Sequence, residues 1–329
     1  MGLSISAIVE RWLVAGEFVI SRGAKSHVDV LLVAAASGVH IGMGEGTAIY
    51  YNGDSAEICL AQVMAAAKTL EAMDTADTAE ARLAAQKLLP KGAGRNALDC
   101  ALWQLEAAQK GAPLWQLVGL DAAPQPLVTA FTISLGEAAV MEREAAAAAA
   151  KGYRLLKLKL TGQGDRDRVA AVHRGAPGAR LIVDANESWG ALDIAAEAAA
   201  LAELGVEMIE QPVPRGQDAL LAGVHCCLPL FADESCHDAA DIPRLAGLYN
   251  GVNIKLDKAG GLTEAMKIAD AANAADMQIM VGCMLSTSLA IAPAFLLAQR
   301  AHWVDLDGPV LLAADREDGF RFESGMIWP

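Results

Sequence analysis

Five strand-like runs in the second half of this 329-residue chain each end on an ionisable side chain. In chain order the runs end at Lys159, Asp184, Glu210, Asp233 and Lys255, with spacings of 25, 26, 23 and 22 residues. Each spacing has about the length of one strand, one helix and two loops. A charge at the end of an apolar run is costly unless it is paired, binds a metal or takes part in chemistry. The repetition predicts one site in which two amines face three carboxylates.

The three carboxylates are candidate metal ligands. Asp184, Glu210 and Asp233 end consecutive strands, so they should lie side by side and repel one another strongly unless a cation neutralises them. Ligands that are all oxygen favour a hard cation, and Mg²⁺ is usual when water and substrate oxygens complete the octahedron. The alternative is that each carboxylate pairs with a nearby lysine or arginine. Three carboxylates in register favour the metal site.

The amines are candidates for proton transfer. Lys157 and Lys159 are two residues apart, so both point to the same side of their strand. A free lysine, with a pKa of about 10.4, is a poor base near neutral pH, but a metal ion and a neighbouring cation such as Lys157 would lower that pKa. Lys159 and Lys255 across a metal would suit the removal of a proton from one face of a carbon and its return to the other. The alternatives are lysines that only pair with the carboxylates, or one Schiff-base lysine.

The elements that must position these residues alternate regularly from about residue 125 onward. Ala-rich helical stretches separate most of eight strand-like runs, which lie near residues 127–133, 154–160, 180–184, 206–210, 229–233, 251–255, 277–282 and 302–306. This pattern predicts an α/β fold with a parallel (β/α)8-type barrel, whose chemistry lies at the C-terminal ends of the strands. A doubly wound open sheet is the alternative. Polar residues recur at the strand ends all the way round, which favours the barrel.

The region before residue 119 has a different pattern. Two strand-like runs are followed by a glycine-rich connection (Gly38, Gly42, Gly44, Gly46) and by two helical patterns; the strands cover residues 3–15 and 27–36, and the helices 54–73 and 94–109. Strands followed by helices predict an α+β domain. We expect the short tail beyond residue 311 to return to this first domain.

Bulk properties exclude several classes of function. The net charge of −14 argues against nucleic acid or an anionic membrane surface as a partner, because both bind basic patches. The N-terminal residues lack the basic region and the cleavage site of a secretory signal, and no stretch has 18 uninterrupted apolar residues. The six cysteines have no framework spacing, which is typical of reduced thiols. We therefore predict an acidic, soluble, cytoplasmic protein.

Five motifs together are similar to those of the enolase superfamily, in its muconate-cycloisomerase-like subgroup: KLKL, VDANESW, IEQPVP, ADES and NIKLDKAGGLTEA. The resemblance covers essentially the whole chain. It implies a modified (β/α)7β barrel at residues 119–310, which would carry the catalytic residues. It also implies that residues 1–118 form an α+β capping domain, completed by residues 311–329.

The same resemblance implies roles for the strand-end residues. Lys159 and Lys255 would be the acid/base pair, and Lys157 would be a polarising cation. The three carboxylates, Asp184, Glu210 and Asp233, would hold Mg²⁺. In this superfamily the metal stabilises the enediolate that forms when the substrate loses its α-proton. Members of the subgroup share this machinery while catalysing different reactions, so the substrate must be inferred from other residues.

The motif VDLDGP near the end of the eighth strand bears on the substrate. Asp305 and Asp307 are two residues apart and face the same way on an extended chain. A solvated acidic turn before Gly308-Pro309 is one interpretation. The motif resembles the dipeptide epimerases, in which such a pair holds the N-terminal ammonium group of the dipeptide. We therefore expect Asp305 and Asp307 to bind a substrate ammonium group.

Four further residues are candidates for substrate binding. Arg22, in FVISRGAKS, could pair with an acidic side chain on the epimerised residue. Thr132, in TAFTIS, matches a substrate-contacting threonine of the family that the chain resembles. Cys283 and Met284, in VGCMLSTS, follow the seventh strand and could supply backbone contacts. A solvated arginine and an ordinary strand threonine are the alternatives for the first two.

These observations predict a Mg²⁺-dependent dipeptide epimerase that acts on L-Ala-D/L-Glu in murein peptide recycling, by a two-base 1,1-proton transfer. An o-succinylbenzoate synthase or a muconate-type cycloisomerase is an alternative within the superfamily, but its substrate would lack the ammonium group that Asp305 and Asp307 could bind. A barrel that only binds a ligand is a further alternative, although binding needs no opposed bases. A homo-oligomer is possible by family precedent alone.

Overall fold

An antiparallel sheet of three strands opens the chain. In the computed structural model, which describes residues 2–20, 23–73 and 77–329, these strands are β1 (Leu3–Ile20), β2 (Gly23–Ser37) and β3 (His40–Thr47). The helices that follow are α1 (Ala56–Glu71), α2 (Thr78–Leu88), α3 (Ala93–Lys110) and α4 (Leu114–Leu117). The sheet packs one face against α1 and α3, and together they enclose an apolar core. These elements form the α+β unit that the pattern predicted.

The glycine-rich stretch before residue 47 corrects one expectation, because it is a strand and not a connection. A Cβ atom on Gly42, Gly44 or Gly46 would lie only 2.1 to 2.2 Å from backbone carbonyl oxygens of α3. The glycines therefore allow the helix backbone to lie directly on β3. Glycine is depleted in strands in general, so the pattern indicates a loop when the strand is considered without its packing partner.

A parallel sheet of eight strands forms the second unit. After β4 (Leu127–Val128), which lies outside this sheet, its strands are β5 (Phe131–Ile133), β6 (Leu155–Lys159), β7 (Arg180–Asp184), β8 (Val206–Glu210), β9 (Leu230–Ala232), β10 (Gly251–Lys255), β11 (Gln278–Gly282) and β12 (Trp303–Asp305). Each strand pairs with its neighbour in chain order. The first and last strands approach one another where Ala130 N donates to the Val304 carbonyl at 2.8 Å. The sheet is a nearly closed barrel, so the predicted fold class is confirmed.

Helices connect most of the barrel strands. They are α5 (Ala138–Ala150), α6 (Asp165–Gly175), α7 (Ile194–Glu203), α8 (Ile242–Leu245), α9 (Leu256–Ala259), α10 (Leu262–Ala274) and α11 (Ser288–Ala298). A short 3-10 turn, Gly308–Leu311, follows β12 in the place of an eighth helix. This ending is typical of the modified barrel that the resemblance implied. In the part of the chain that the structure describes, no helix combines the length and apolarity needed to cross a membrane.

The C-terminal tail contacts both units. Arg316 forms an ion pair with Glu10 of β1 at 2.7 Å. The strands β13 (Arg321–Glu323) and β14 (Met326–Trp328) then pair with each other, and β14 also pairs with β4 beside the barrel. We therefore propose the division into a first domain at residues 1–118 and a barrel at 119–310, with the tail 311–329 shared between them.

Candidate active site

The interior of the barrel has a polar layer above an apolar one. The apolar layer is a buried cluster of side chains that point into the barrel: Ala130, Leu155, Ile182, Met208, Phe231, Met280 and Trp303. Side chains along a strand face alternate sides, so residues two positions further along also point inward. These residues include Lys157, Asp184, Glu210, Asp233 and Asp305. The apolar layer thus closes the floor beneath a group of charged side chains at the C-terminal ends of the strands.

The three strand-end carboxylates lie together. One oxygen from each of Asp184, Glu210 and Asp233 falls within 4.8 Å of the other two, and all three side chains are buried. Burial, followed by repulsion from Asp184, raises the pKa of Glu210 to about 7. Burial also opposes ionisation of Asp233, but Lys255 and Lys258 outweigh it and hold the pKa well below its usual value. Buried oxygen donors at this spacing fit a hard divalent cation.

Each of the two strand-end lysines contacts a carboxylate. Lys159 Nζ lies 2.7 Å from Asp184 Oδ2, and Lys255 Nζ lies 2.7 Å from Asp233 Oδ2. Burial lowers the pKa of Lys255 and Lys157 lowers it further, but attraction by Asp233 and other anions outweighs both, so the pKa is raised. The expected lowering by Lys157 is therefore present at Lys255, and the expected effect of a metal ion stays a prediction. The repulsion between lysines is present, but the ionised carboxylates dominate.

Lys157 joins the carboxylates to the end of β12. Its ammonium group lies 2.6 Å from Glu210 Oε2 and 2.8 Å from Asp305 Oδ2, and the side chain is 1% exposed. Burial lowers the pKa of Lys157, but Asp305 and Glu210 outweigh it, and the pKa is raised well above its ordinary value. Lys157 therefore carries a fixed positive charge at the centre of the polar layer.

Asp305 and Asp307 form a buried acidic pair, which contradicts the interpretation as a solvated turn. Asp307 Oδ2 accepts a hydrogen bond from Thr132 N at 2.7 Å. Burial, followed by repulsion from Asp305, raises the pKa of Asp307 to about 7. Asp305 Oδ1 is buried and accepts no hydrogen bond from the described residues. An acidic pair with an unused buried acceptor is suited to a cationic group.

One cleft of about 770 Å³, measured with its open mouth, collects the remaining candidates. Thr132, Cys283 and Met284 line it together with both strand-end lysines and the acidic pair. Arg22 lies outside the described residues. Lys25, three positions after it, lines the cleft, and burial lowers its pKa. Lys25 was missed, although it stands in the same FVISRGAKS stretch that pointed to Arg22.

Two further residues at the carboxylate cluster were also missed. Asn253 Nδ2 donates to Glu210 Oε1 at 2.7 Å. Lys258 Nζ lies 2.6 Å from Asp233 Oδ1 and donates to the Asn253 carbonyl at 3.1 Å. The spacing of NIKLDK contains the signal for both, since Asn253 precedes Lys255 by the strand period of two and Lys258 follows it by about one helical turn.

Two family profiles match the chain. "Mandelate racemase / muconate lactonizing enzyme, N-terminal domain" matches residues 4–119, and "Enolase C-terminal domain-like" matches residues 140–329. Together they cover the α+β unit and most of the barrel with its tail.

Proteins similar over their full length include both curated and solved examples. The L-Ala-D/L-Glu epimerase of Escherichia coli is 42% identical over 98% of this chain and 99% of its own. A solved enolase-family protein of Agrobacterium tumefaciens, bound to sodium and L-Ala-L-Glu, is 43% identical, covers 99% and 98% of the two chains, and has a TM-score of 0.93. A dipeptide epimerase of Methylococcus capsulatus, complexed with Mg and L-Arg-D-Lys, is 30% identical, covers 99% and 97%, and has a TM-score of 0.90.

Proposed function

Because the chain belongs to the mandelate racemase and muconate lactonizing enzyme family of the enolase superfamily, we propose that it is a Mg²⁺-dependent dipeptide epimerase with L-Ala-D/L-Glu as its substrate. One observation carries the proposal. The cleft that contains the two strand-end lysines also contains the buried acidic pair of Asp305 and Asp307. The lysines suit proton transfer at carbon, and the pair suits the ammonium group of a dipeptide.

In this proposal Lys159 and Lys255 act on opposite faces of the α-carbon of the C-terminal residue. One amine removes the proton, and the ammonium group of the other delivers a proton to the opposite face. An amine must be free of its proton before it can act as a base, so each ion pair with Asp184 or Asp233 must weaken. A cation bound by those carboxylates would weaken both pairs, because it competes for the same negative charge.

The residues that would hold Mg²⁺ are Asp184, Glu210 and Asp233, whose oxygens already lie within 4.8 Å of one another. When bound, Mg²⁺ would supply positive charge that favours negative charge on a substrate carboxylate. Lys157, which is fixed between Glu210 and Asp305, adds a second positive charge beside the same carboxylate. Both contributions favour loss of the α-proton, because negative charge develops on the substrate oxygens.

The rest of the substrate would extend from this centre. Asp305 and Asp307 would bind the ammonium group of the N-terminal residue, and Thr132 keeps Asp307 in place by donating to it. The backbone at Cys283 and Met284 would contact the peptide. We further propose that Arg22 pairs with the side-chain carboxylate of the epimerised glutamate.

The decisive experiment follows L-Ala-L-Glu by NMR in D₂O with Mg²⁺. Loss of the glutamyl α-proton signal and appearance of L-Ala-D-Glu would support the proposal, and chelation of the metal should stop both. N-acetyl-L-Ala-L-Glu is the matched control, because it keeps the reacting carbon but has no ammonium group. Absence of exchange across a panel of free dipeptides would refute the proposal, as would equal exchange of the acetylated substrate.

The alternative functions predict different results in the same NMR experiment. An o-succinylbenzoate synthase or muconate-type cycloisomerase acts on substrates without an ammonium group, so neither would depend on Asp305 and Asp307. A barrel that only binds ligands would show binding without exchange. The buried acidic pair and the two lysines in one cleft favour the epimerase over both.

We also infer a biological setting. Recycling of murein peptides in the cytoplasm would supply L-Ala-D-Glu, and a homo-oligomer would follow family precedent. Growth of a deletion strain on L-Ala-D-Glu as the nitrogen source, fractionation of the cell, and the solution mass of the purified protein would test these three points separately.

A further inference from the structure

We propose that helix α3 of the first unit positions Lys255, so that one of the two bases is held in place by contact between the units. This inference rests on the proposed function, because it assigns different supports to the two bases of the proposed reaction. The residues concerned belong to one five-residue stretch of α3. They are Arg95, Asn96 and Asp99, which are 7%, 2% and 0% exposed.

The segment that follows Lys255 is short, and Lys258 within it is bound to the barrel by Asp233. Lys255 is the last residue of β10 and is followed at once by α9, a single turn that ends at Ala259. Gly260 and Gly261 have φ angles of +78° and +117° and connect this turn to α10. Two glycines in such conformations allow the chain to reverse sharply, but they leave the free ends of two helices without partners from the segment itself.

The side chain of Arg95 satisfies the end of α9. Its Nη2 donates to the Ala259 carbonyl at 2.6 Å, and its Nε donates to the Gly260 carbonyl at 3.0 Å. The last carbonyl groups of a helix lack partners within it and carry partial negative charge. A buried guanidinium group therefore fixes α9 by a charge-assisted pair of hydrogen bonds.

Asp99 satisfies the start of α10 from the same helix face. It accepts hydrogen bonds from Thr263 N at 2.9 Å and from Thr263 Oγ1 at 2.6 Å. The residue at the N-cap position of α10, Gly261, has no side chain for this purpose. The cap is supplied instead by a residue 164 positions earlier in the chain. Asp99 thus connects α3 to the far side of the two glycines.

Asn96, which lies between Arg95 and Asp99 in α3, makes a third contact with the segment. Its Nδ2 donates to Asp257 Oδ1 at 2.8 Å, and Thr47 N of β3 donates to the same oxygen at 3.0 Å. Asp257 lies only two residues after Lys255. The first unit therefore binds the segment at its start, at its turn and at the beginning of the next helix.

The close fit at the two glycines supports the same conclusion. A Cβ atom on Gly260 would lie 2.4 Å from Arg95 Nε, and one on Gly261 would lie 2.4 Å from Asp99 Oδ2. The pair GG in KAGGLTEA thus leaves room for these two side chains of α3 and also permits the backbone conformation.

The test compares α-proton exchange of the two epimers, L-Ala-L-Glu and L-Ala-D-Glu, in D₂O with Mg²⁺. Arg95→Met keeps an unbranched apolar stem and removes the donors of the guanidinium group. Lys255→Ala identifies the epimer that needs Lys255 for proton removal. Exchange of that epimer should fall about 10- to 100-fold in Arg95→Met, because small displacements of a reacting group have large effects on rate. Exchange of the other epimer should fall only about threefold or less.

Two further variants separate positioning from general loss of stability. Val63→Ala removes buried volume from the core of the first unit, away from α9, and should lower both exchange rates equally or leave both unchanged. Arg95→Lys retains one cationic donor. The ratio of the exchange rates of the two epimers should therefore lie between the ratio in the parent and the ratio in Arg95→Met. If Arg95→Met does not fold, as judged by circular dichroism, the ratio in Arg95→Lys decides the question alone.

Equal loss for both epimers in the Arg95 variants would overturn the positioning role. The parent protein is measured first, so that a failure of the proposed function, which abolishes exchange of both epimers in the parent, is distinguished from a failure of this inference.

Discussion

The segments that follow the two strand-end lysines are held in different ways. After Lys159, Thr161 N and Gly162 N donate to Asp165 at 3.1 and 2.8 Å, and Asp165 also accepts from Trp189 Nε1 at 3.0 Å. These residues all belong to the barrel. After Lys255, Lys258 pairs with Asp233 of the barrel, and the other hydrogen bonds described above come from α3 and β3 of the first unit. One side of the cleft is therefore supported within the barrel, and the other is supported by the contact between units as well.

This difference matters because the proposed reaction needs both bases at the correct distance from the same carbon atom. A shift of the first unit on the barrel would move the segment after Lys255 and leave the segment after Lys159 in place. The contact also involves buried polar groups. A buried polar group that loses its partner destabilises the protein. The two sides should consequently respond differently to substitution.

The largest expected effect is the loss of either lysine. Lys159→Ala and Lys255→Ala should each lower epimerisation by about 10³-fold or more, because general acid–base groups contribute about 10²- to 10⁴-fold each. Each variant should still exchange the α-proton of one epimer, and the two variants should retain opposite epimers. NMR in D₂O measures both quantities. An unchanged rate of epimerisation in either variant would show that the two-base assignment is wrong.

The second prediction concerns Asp257, on the side that depends on both units. Burial raises the pKa of Asp257 from 3.8 to about 7, so between about pH 4 and pH 7 the folded protein holds a proton that the unfolded chain has released. The contribution of this group to stability is therefore greatest at low pH, falls as the pH rises from about 4, and is lost above about pH 7. Asp257→Asn, which keeps an oxygen acceptor, should remove up to about 4 kcal/mol of this pH dependence.

Urea unfolding of the parent and of Asp257→Asn at several pH values measures this difference. Parallel curves of stability against pH for the two proteins would contradict it.

A smaller effect is expected at the second contact between the units. Glu45, which is buried, accepts from Thr287 N at 2.8 Å, contacts Thr287 Oγ1, and pairs with Arg316 Nη2 at 2.7 Å. Glu45→Gln replaces one acceptor oxygen by a donor and should lower the free energy of unfolding by about 1 to 3 kcal/mol. Because this contact lies after β11 and not after β10, the ratio of epimer exchange should stay at the parent value. A changed ratio would show that both contacts position Lys255.

The smallest expected effect is the counterpart on the side held within the barrel. Asp165→Asn removes an acceptor oxygen from the segment after Lys159. Exchange of the epimer that needs Lys159 should fall by about tenfold, which corresponds to about 1.4 kcal/mol. The ratio of the exchange rates of the two epimers should therefore change in the opposite direction to its change in Arg95→Met. A shift in the same direction would mean that the two segments are not supported separately.

Much of the fold was predictable because its signals are local. The strand at 206–210 and the strand at 251–255 have the predicted bounds, and the predicted helices at 54–73 and 94–109 correspond to α1 and α3. Apolar periodicity and a charged strand end are both properties of a few adjacent residues. β3 was missed because its three glycines are explained only by the backbone of α3, which is about 50 residues later in the chain.

The sequence by itself determined which chemical groups the barrel presents. Parallel strands of similar length end at one level, so a charge at each strand end predicts a cluster without further information. Only the tertiary structure decided how those groups interact. The pairing of Lys255 with Asp233, the burial of Asp305 and Asp307, and the support of Lys255 by α3 depend on distances between residues far apart in the chain. Such distances set pKa values and positions but leave no periodic trace in the sequence.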